Sequence, residues 1–329
     1  MFTTKFITSQ KRPLVIEAAS CEVTLEALLK QLRDNNAYFK DHLLKYGGLL
    51  FRNFPIQNAH DFNRVIDALG TGKCVDYIGG DSPRIKVQGN IYTSTEAPPS
   101  MKLPLHNELS FVKNYPSHIY FFCETPSPIG GETIIGDTRK IFQELDERVK
   151  KQFIEKQLRY FSRYYYKNAF MSKYIRGHKT WINVFETEDK SAVEKMCVEN
   201  EFGLKWNKND WLEINQVRPA ILEHPITKET VWFNQVHLYD FNPKFLGLKA
   251  YLGAKAFYCR KHTKLHDVYF ADNSKIARKD IYHILDVLDA NTIYFKWQKG
   301  DVLALDNILS MHGRAPFSGK RRILTAMTR

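Results

Sequence analysis

Apolar residues in the first third of the chain recur at spacings that predict helices packed on a strand. Between residues 24 and 46, leucine and phenylalanine recur three or four positions apart, as on one face of an amphipathic α-helix. Gly47 ends this pattern, and the mainly apolar run at 49–54 predicts a buried strand. A further helical pattern covers 59–69, with Asn58 as its N-cap.

Strand-like runs dominate the rest of the chain, with loops and helices between them. Residues 70–102 are rich in Gly, Ser, Thr and Pro, which predicts irregular structure. Asp137 is placed to cap a helix that runs as far as Phe153, and another helical pattern covers 278–288. Strands are predicted at 117–123, 132–136, 218–236, 293–306 and 321–327.

Together these elements predict a mixed α+β chain with a mainly β core. Strands near both ends of the sequence flank a long middle, so we expect a single domain over 1–329 with a helical insertion at roughly 240–290. A sheet that closes on itself would bring residues from the two ends of the chain together.

Composition and charge narrow the classes of partner. Hydrophobic residues make up 43% of the chain and aromatic residues 13%, which suits a packed globular core. The net charge of +12 favours acidic or anionic partners. The basic residues are dispersed in short clusters, however, and this argues against nucleic acid as the partner.

Five scattered cysteines without CxxC spacing argue against a disulfide framework and against a zinc site. Such a set is typical of a reducing compartment. No apolar run reaches a membrane-spanning length, and the N-terminus has no signal-peptide core. We therefore expect a cytoplasmic protein with no membrane partner.

One short stretch carries the clearest chemical signal. His106 and Glu108 are two residues apart, so in an extended strand both side chains would point to the same face. An imidazole nitrogen and a carboxylate oxygen are ligands of a non-haem iron(II) site, which needs one more histidine. His312, which follows a predicted strand near the C-terminus, can supply it.

Eight short motifs, taken in order, resemble the taurine dioxygenase (TauD/TfdA) superfamily. The likeness runs from about residue 50 to the C-terminus and is strongest to the branch around the hydroxylase SyrP, with clavaminate synthase more distant. The motifs are LHNELSF at 105–111, GGET at 130–133, HPIT at 224–227, WFNQ at 232–235, GDV at 300–302, DN at 306–307, HGR at 312–314 and RR at 321–322.

The resemblance implies a double-stranded β-helix, or jelly roll, that uses Fe(II), 2-oxoglutarate and O2. Its iron ligands match His106, Glu108 and His312. Thr133 matches the residue that contacts 2-oxoglutarate. The arginine that anchors the distal carboxylate of 2-oxoglutarate falls at Arg321 or Arg322. Neighbours on a strand face opposite ways, and Arg322 is preferred because Arg322, Leu324 and Ala326 would then form an inward face.

The expected reaction is hydroxylation of an amino acid or amino-acid-derived substrate, free or bound to a carrier protein, with release of succinate and CO2. Relatives that halogenate carry a small residue where Glu108 stands. Candidate substrate contacts are Tyr92, Thr95, Asn234 and Arg314. The alternative is a non-catalytic, cupin-like jelly-roll binding protein.

Overall fold

The computed structural model describes residues 1–76, 84–166, 179–257 and 265–329. This part of the chain combines helices with large β-sheets. Its helices are α1 (Leu25–Asp34), α2 (Asn36–Tyr46), α3 (Ala59–Leu69), α4 (Thr138–Glu144), α5 (Glu147–Lys156), α6 (Trp181–Phe185), α7 (Lys190–Glu199), α8 (Val236–Tyr239), α9 (Pro243–Leu246), α10 (Leu248–Phe257) and α11 (Arg278–Ala290).

The strands form one large sheet and several smaller ones. They are β1 (Phe2–Phe6), β2 (Leu14–Ala18), β3 (Gly48–Arg52), β4 (Lys86–Gln88), β5 (Ile91–Thr93), β6 (Leu103–His106), β7 (His118–Thr125), β8 (Ile129–Gly130), β9 (Thr133–Asp137), β10 (Leu158–Tyr164), β11 (Gly203–Trp206), β12 (Leu212–Arg218), β13 (Ile221–Glu223), β14 (Thr230–Trp232), β15 (His266–Phe270), β16 (Ile293–Phe295), β17 (Val302–Asp306), β18 (Ser310–Arg314), β19 (Phe317–Ser318) and β20 (Arg322–Thr328).

The largest sheet has eight strands in the order β1-β2-β3-β17-β7-β20-β5-β4. Helices α1, α2 and α3 cover one face of it, and their apolar residues share a buried cluster with strand residues such as Phe51, Phe122 and Leu324. The predicted N-cap of α3 is confirmed, because the Asn58 side chain accepts a hydrogen bond from the Asp61 backbone N–H. The face of the sheet that lies under the helices is therefore buried.

A second sheet, in the order β16-β9-β18-β6, carries the C-terminal and central motifs. Ile135 and Met311 of this sheet share a buried cluster with Phe121 and Ile323 of the large sheet. This shared core holds the two sheets together, and the strand pairing of β6 with β18 brings residues more than 200 positions apart into contact.

The middle of the chain builds a third sheet, in the order β11-β12-β10-β15, with a small core of its own around Trp181. The predicted insertion at 240–290 contains α9, α10 and α11 but also β15, which pairs with β10. Within that insertion, residues 258–264 lie outside the described residues.

Two predicted elements are wrong in detail. The single helix expected from Asp137 to Phe153 is two helices, because Leu145 leaves the helical conformation with φ −68° and ψ 143°. The run at 218–236 holds only the short strands β13 and β14 before α8 begins. In the described residues, no helix has both the length and the apolar character needed to cross a membrane.

Candidate metal and co-substrate site

Strand pairing places the predicted metal ligands side by side. His106 at the end of β6 is the register partner of His312 in β18, and their ring centroids are 4.5 Å apart. One potential ligand atom from each of His106, Glu108 and His312 lies within 4.8 Å of the others. The strand ends at His106, so Glu108 reaches the cluster from a turn in which Leu109 has φ 51°, and not from an extended strand.

Asn307, in the turn between β17 and β18, fixes the backbone of Glu108. Its Oδ1 accepts from the Glu108 N–H at 2.8 Å, and its Nδ2 donates to the Glu108 carbonyl at 3.0 Å and to the Pro116 carbonyl at 2.8 Å. Because the C-terminal turn holds the backbone of the central turn, Glu108 keeps its place beside His312.

We expect Asn307→Ala to weaken both the fold and the metal site. The change leaves buried backbone groups of Glu108 without partners, at a cost of about 2–4 kcal/mol in unfolding free energy. It should weaken Mn(II) binding by about 10- to 100-fold, as losses in an outer shell do. Urea unfolding and Mn(II) titration measure the two effects. Asn114→Ala, which removes an exposed side-chain pair with Asn200, is the matched control, and equal effects of both substitutions would contradict this role.

The environment of His106 prepares one ring nitrogen for a metal. Nδ1 lies 2.8 Å from the Pro104 carbonyl, so Nδ1–H is the donor and Nε2 keeps its lone pair. Burial lowers the pKa of His106 to about 3, and the charge of His312 acts in the same direction. The imidazole is therefore neutral at physiological pH, which is the form that binds a metal.

Glu108 is held in the ionised form. Burial alone would raise the pKa of its carboxyl, but Arg84 and the two imidazoles outweigh burial and hold the pKa well below its usual range. Arg84 Nη2 lies 2.7 Å from Glu108 Oε2, and His312 Nε2 lies 3.4 Å from the same oxygen. Two imidazoles and one carboxylate around one point fit a divalent iron ion.

The same buried imidazoles predict a loss of stability in mild acid. The pKa values of His106 and His237 are lowered from 6.5 to about 3 and about 4. Below pH 6.5 the histidines of the unfolded chain therefore bind protons that the native state excludes. The free energy of unfolding falls as the pH falls, and at pH 5 the loss is about 2 kcal/mol for each of the two histidines.

Urea unfolding of the metal-free protein at pH 7 and pH 5 measures this loss. The expected result is that His237→Leu reduces the difference between the two pH values by about 2 kcal/mol. His60→Leu, at an exposed position, is the control and should leave the difference unchanged. A difference that His237→Leu does not alter would show that this imidazole gains no proton on unfolding.

A small cavity adjoins the metal ligands and is lined by Thr133 and Arg321, two of the three predicted co-substrate residues. Thr133 is buried, and its Oγ1 accepts a hydrogen bond from Trp297 Nε1 at 3.1 Å. The cavity is lined by Arg84, Ser94, Thr95, Leu103, His106, Phe121, Thr133, His312, Gly313, Arg314 and Arg321.

Arg321 presents a partly buried positive charge to this cavity. Its Nε donates to the Gly131 carbonyl at 2.9 Å and its Nη1 to Ser94 Oγ at 3.5 Å, both neutral partners. Burial lowers the pKa of Arg321 to about 10, and the neighbouring charge of Arg314 adds to this effect. In the described parts of the chain no carboxylate lies within salt-bridge distance of Arg321, so the position is suited to an incoming anion.

The sequence analysis preferred Arg322 over Arg321 as the side chain that faces inward, and this prediction is wrong. Arg322 Nε pairs with Glu124 at 2.6 Å, and 47% of the Arg322 side chain is exposed. Leu324 and Ala326 are buried, as predicted, but against the helices on the outer face of the sheet. The inner face carries Ile323, so Arg321 lies on the cavity side.

The four candidate substrate contacts have different surroundings. Thr95 lines the cavity beside His106. Arg314 also lines it, but its Nη1 and Nη2 donate to backbone carbonyls, including those of Ala97 and Pro98 at 3.1 and 2.7 Å, so it anchors that loop. Tyr92 and Asn234 do not line this cavity. Tyr92 donates to Asp76, whereas Asn234 is bonded to the backbone of Ala220 and Val236.

A second, larger cavity also reaches His106 and Glu108 and has a mostly apolar, aromatic wall. Three of its wall residues had a signal in the sequence: Thr95 as a candidate substrate contact, Phe111 as the last letter of the LHNELSF motif and Gln235 as the last letter of the WFNQ motif. The sequence patterns did not single out the others. The wall residues outside the metal cluster are Thr95, Leu103, Phe111, Gln235, Leu238, Tyr239, Phe241 and His266.

Comparison with known proteins decides the family. The family model described as "Taurine catabolism dioxygenase TauD, TfdA family" matches residues 8–328. The chain belongs to this family. With the metal cluster in place, membership makes it an Fe(II)- and 2-oxoglutarate-dependent dioxygenase, and the alternative of a non-catalytic binding protein is set aside.

Individual relatives of this TauD/TfdA-family chain align with it along nearly its whole length. A clavaminate synthase-like protein of Arabidopsis thaliana is 29% identical and covers 98% of this chain and 95% of its own. The dapdiamide synthesis protein DdaC of Enterobacter agglomerans is 31% identical, covering 96% of this chain and 93% of its own. The solved structure of AAD-2 with Mn(II) and N-oxalylglycine covers 100% of this chain and 97% of its own, with a TM-score of 0.55 and 12% identity, and shows a shared fold.

Proposed function

We propose that this dioxygenase hydroxylates an amino acid or amino-acid-derived substrate. The observation that carries the proposal is the carboxylate of Glu108 inside the cluster formed with His106 and His312. A halogenating relative has a small residue at this position, which leaves a place for a halide on the metal. Here the Glu108 carboxylate would fill that place when the metal is bound, which favours transfer of oxygen.

The roles of the other residues follow from the first cavity. His106, Glu108 and His312 would hold Fe(II), which, when bound with 2-oxoglutarate and O2, supplies the oxidising chemistry and yields succinate and CO2. Arg321 would grip the distal carboxylate of 2-oxoglutarate through its guanidinium group. Thr133 would donate its hydroxyl hydrogen to the same carboxylate while its oxygen accepts from Trp297.

The second cavity is the proposed substrate site. Phe111, Tyr239 and Phe241 offer apolar contact area to a side chain. Gln235 donates its Nε2 to the Asn107 carbonyl at 2.8 Å, so its amide oxygen is the group offered to a polar part of the substrate. The name of the relative DdaC, a dapdiamide synthesis protein, supports an amino-acid-like substrate. Both a free and a carrier-bound form of such a substrate are included in the proposal.

We further propose that the eight-stranded sheet and the sheet containing β6 and β18 form the two halves of a double-stranded β-helix. Their shared buried core and the closeness of His106 to His312 support this arrangement. The match to residues 8–328 supports one domain that includes the insertion at roughly 240–290. The cytoplasmic location stays a prediction.

Substrate-stimulated succinate release tests the proposed function. Free amino acids and carrier-bound amino acids are offered with Fe(II) and 2-oxoglutarate, and the products are analysed by mass spectrometry. The expected product carries one oxygen atom from labelled O2, also when chloride or bromide is present in excess. A halogenated product from the unmodified enzyme would contradict the role given to Glu108, and a lack of stimulation by every amino acid would contradict the substrate class.

A further inference from the structure

Arg84 is a buried cation that the family motifs do not include. It lies just before β4, and only 3% of its side chain is exposed. Its Nη2 donates to Glu108 Oε2 at 2.7 Å, the same oxygen that lies 3.4 Å from His312 Nε2. A residue 24 positions before Glu108 thus contacts the carboxylate that is offered to the metal.

Charge in the buried site changes when a metal enters. Before loading, the opposite charges of Arg84 and Glu108 form a buried ion pair. A divalent metal adds two positive charges beside a guanidinium group, and like charges at short distance in a poorly solvated site repel strongly. Arg84 therefore opposes metal binding unless an anion enters the site together with the metal.

The first cavity shows where such an anion would sit. Arg84 and Arg321 line the same cavity, together with Thr133. Arg84 is bonded to a metal ligand, whereas Arg321 is bonded to Gly131 and to Ser94. The two guanidinium groups thus mark different parts of one cavity, an arrangement that suits a ligand with a carboxylate at each end.

We propose that Arg84 is a positioning residue shared between Glu108 and the metal-side carboxylate of the co-substrate. It holds Glu108 in place and gives 2-oxoglutarate a second cationic contact besides Arg321. This inference rests on the co-substrate site proposed above. The proposal predicts two opposite effects of the Arg84 guanidinium group. It weakens the binding of the metal alone, and it strengthens the binding of 2-oxoglutarate to the metal-loaded protein.

The experiment compares Arg84→Met with the unmodified protein in the absence of oxygen. Free Mn(II), followed by electron paramagnetic resonance, gives the metal affinity, and calorimetry of the Mn(II)-loaded protein gives the Kd of 2-oxoglutarate. We expect Mn(II) to bind no more weakly than before and the Kd of 2-oxoglutarate to rise about 10- to 100-fold, as one lost charge-assisted hydrogen bond predicts.

Two further variants keep the outcome decisive. Arg84→Lys retains the pairing with Glu108 but loses the planar fork, so it should raise the Kd of 2-oxoglutarate less than Arg84→Met does, and it serves if the methionine variant does not fold. Arg322→Met, which removes the exposed pair with Glu124, should change neither affinity.

An unchanged Kd of 2-oxoglutarate in both Arg84 variants would overturn the proposal. Weaker Mn(II) binding in these variants would also overturn it, if that weakening accounted for the whole rise in the Kd of 2-oxoglutarate. Arg321→Met in the same assay separates the two levels of the argument. If Arg321→Met weakens 2-oxoglutarate binding and the Arg84 variants do not, only the role of Arg84 fails. If Arg321→Met also has no effect, the co-substrate site itself is misplaced.

Discussion

We expect His106→Ala and His312→Ala each to abolish turnover and to weaken Fe(II) binding by more than about 100-fold. Loss of a residue that only hydrogen-bonds to a metal ligand already weakens metal binding by up to about 100-fold, so loss of a ligand itself should cost more. Each change removes one of the three ligand atoms that lie within 4.8 Å of one another. The strand pairing of β6 with β18 uses backbone groups, so the fold should persist. Anaerobic titration with Fe(II) and circular dichroism measure the two properties.

His237→Ala is the matched control for these variants. His237 is fully buried and near enough to influence His106 electrostatically, yet it is not part of the ligand cluster. We expect it to lower stability and to leave the iron stoichiometry at one. Fe(II) affinity that survives either ligand substitution, or that is lost equally in His237→Ala, would refute the ligand assignment.

The second large effect concerns the co-substrate. Arg321→Ala should raise the Kd of 2-oxoglutarate by the equivalent of about 2–5 kcal/mol, because a partly buried charge pair loses one partner. Arg322→Ala should change it by less than about 1 kcal/mol, because its pair with Glu124 is largely exposed. Calorimetry with the Mn(II)-loaded variants measures both values.

The two arginines are adjacent and chemically identical, so each is the control for the other. Arg321→Lys adds a second check, since a lysine keeps the charge but cannot form two parallel hydrogen bonds and should bind 2-oxoglutarate with intermediate strength. A larger effect at Arg322 than at Arg321 would show that the exposed side chain turns inward when 2-oxoglutarate binds.

The mistake over these arginines shows a limit of alternation patterns. An alternating strand has one apolar face when only one face is covered, and then the apolar face points to the core. In β20 both faces are covered, with Leu324 and Ala326 under the helices and Ile323 and Met327 in the inner core. The alternation therefore could not show which face is turned to the site.

The clustering of the three candidate metal ligands was easier to predict, although the local reason was incomplete. Residue type and order pointed to His106, Glu108 and His312. The assumption of a strand through both His106 and Glu108 was not needed, because a turn with left-handed Leu109 brings the carboxylate to the cluster. Because His106 and Glu108 are only two residues apart in the sequence, their side chains lie near each other in any backbone conformation.

The residues that hold Glu108 could not be predicted from local patterns. Asn307 is 199 positions from Glu108, and Arg84 follows a stretch without helical or strand periodicity. Such contacts depend on which strands pair and on how loops cross the sheet. Asp306-Asn307 stood among the family motifs, but its bonds to the backbone of the metal-binding turn emerge only in three dimensions.

Anomalous diffraction from crystals grown with Mn(II) and 2-oxoglutarate in the absence of oxygen tests the central claim most directly. The predicted result is one manganese peak bonded to His106, Glu108 and His312, with the distal carboxylate of 2-oxoglutarate on Arg321. A manganese peak elsewhere, or 2-oxoglutarate bound away from Arg321, would contradict the account.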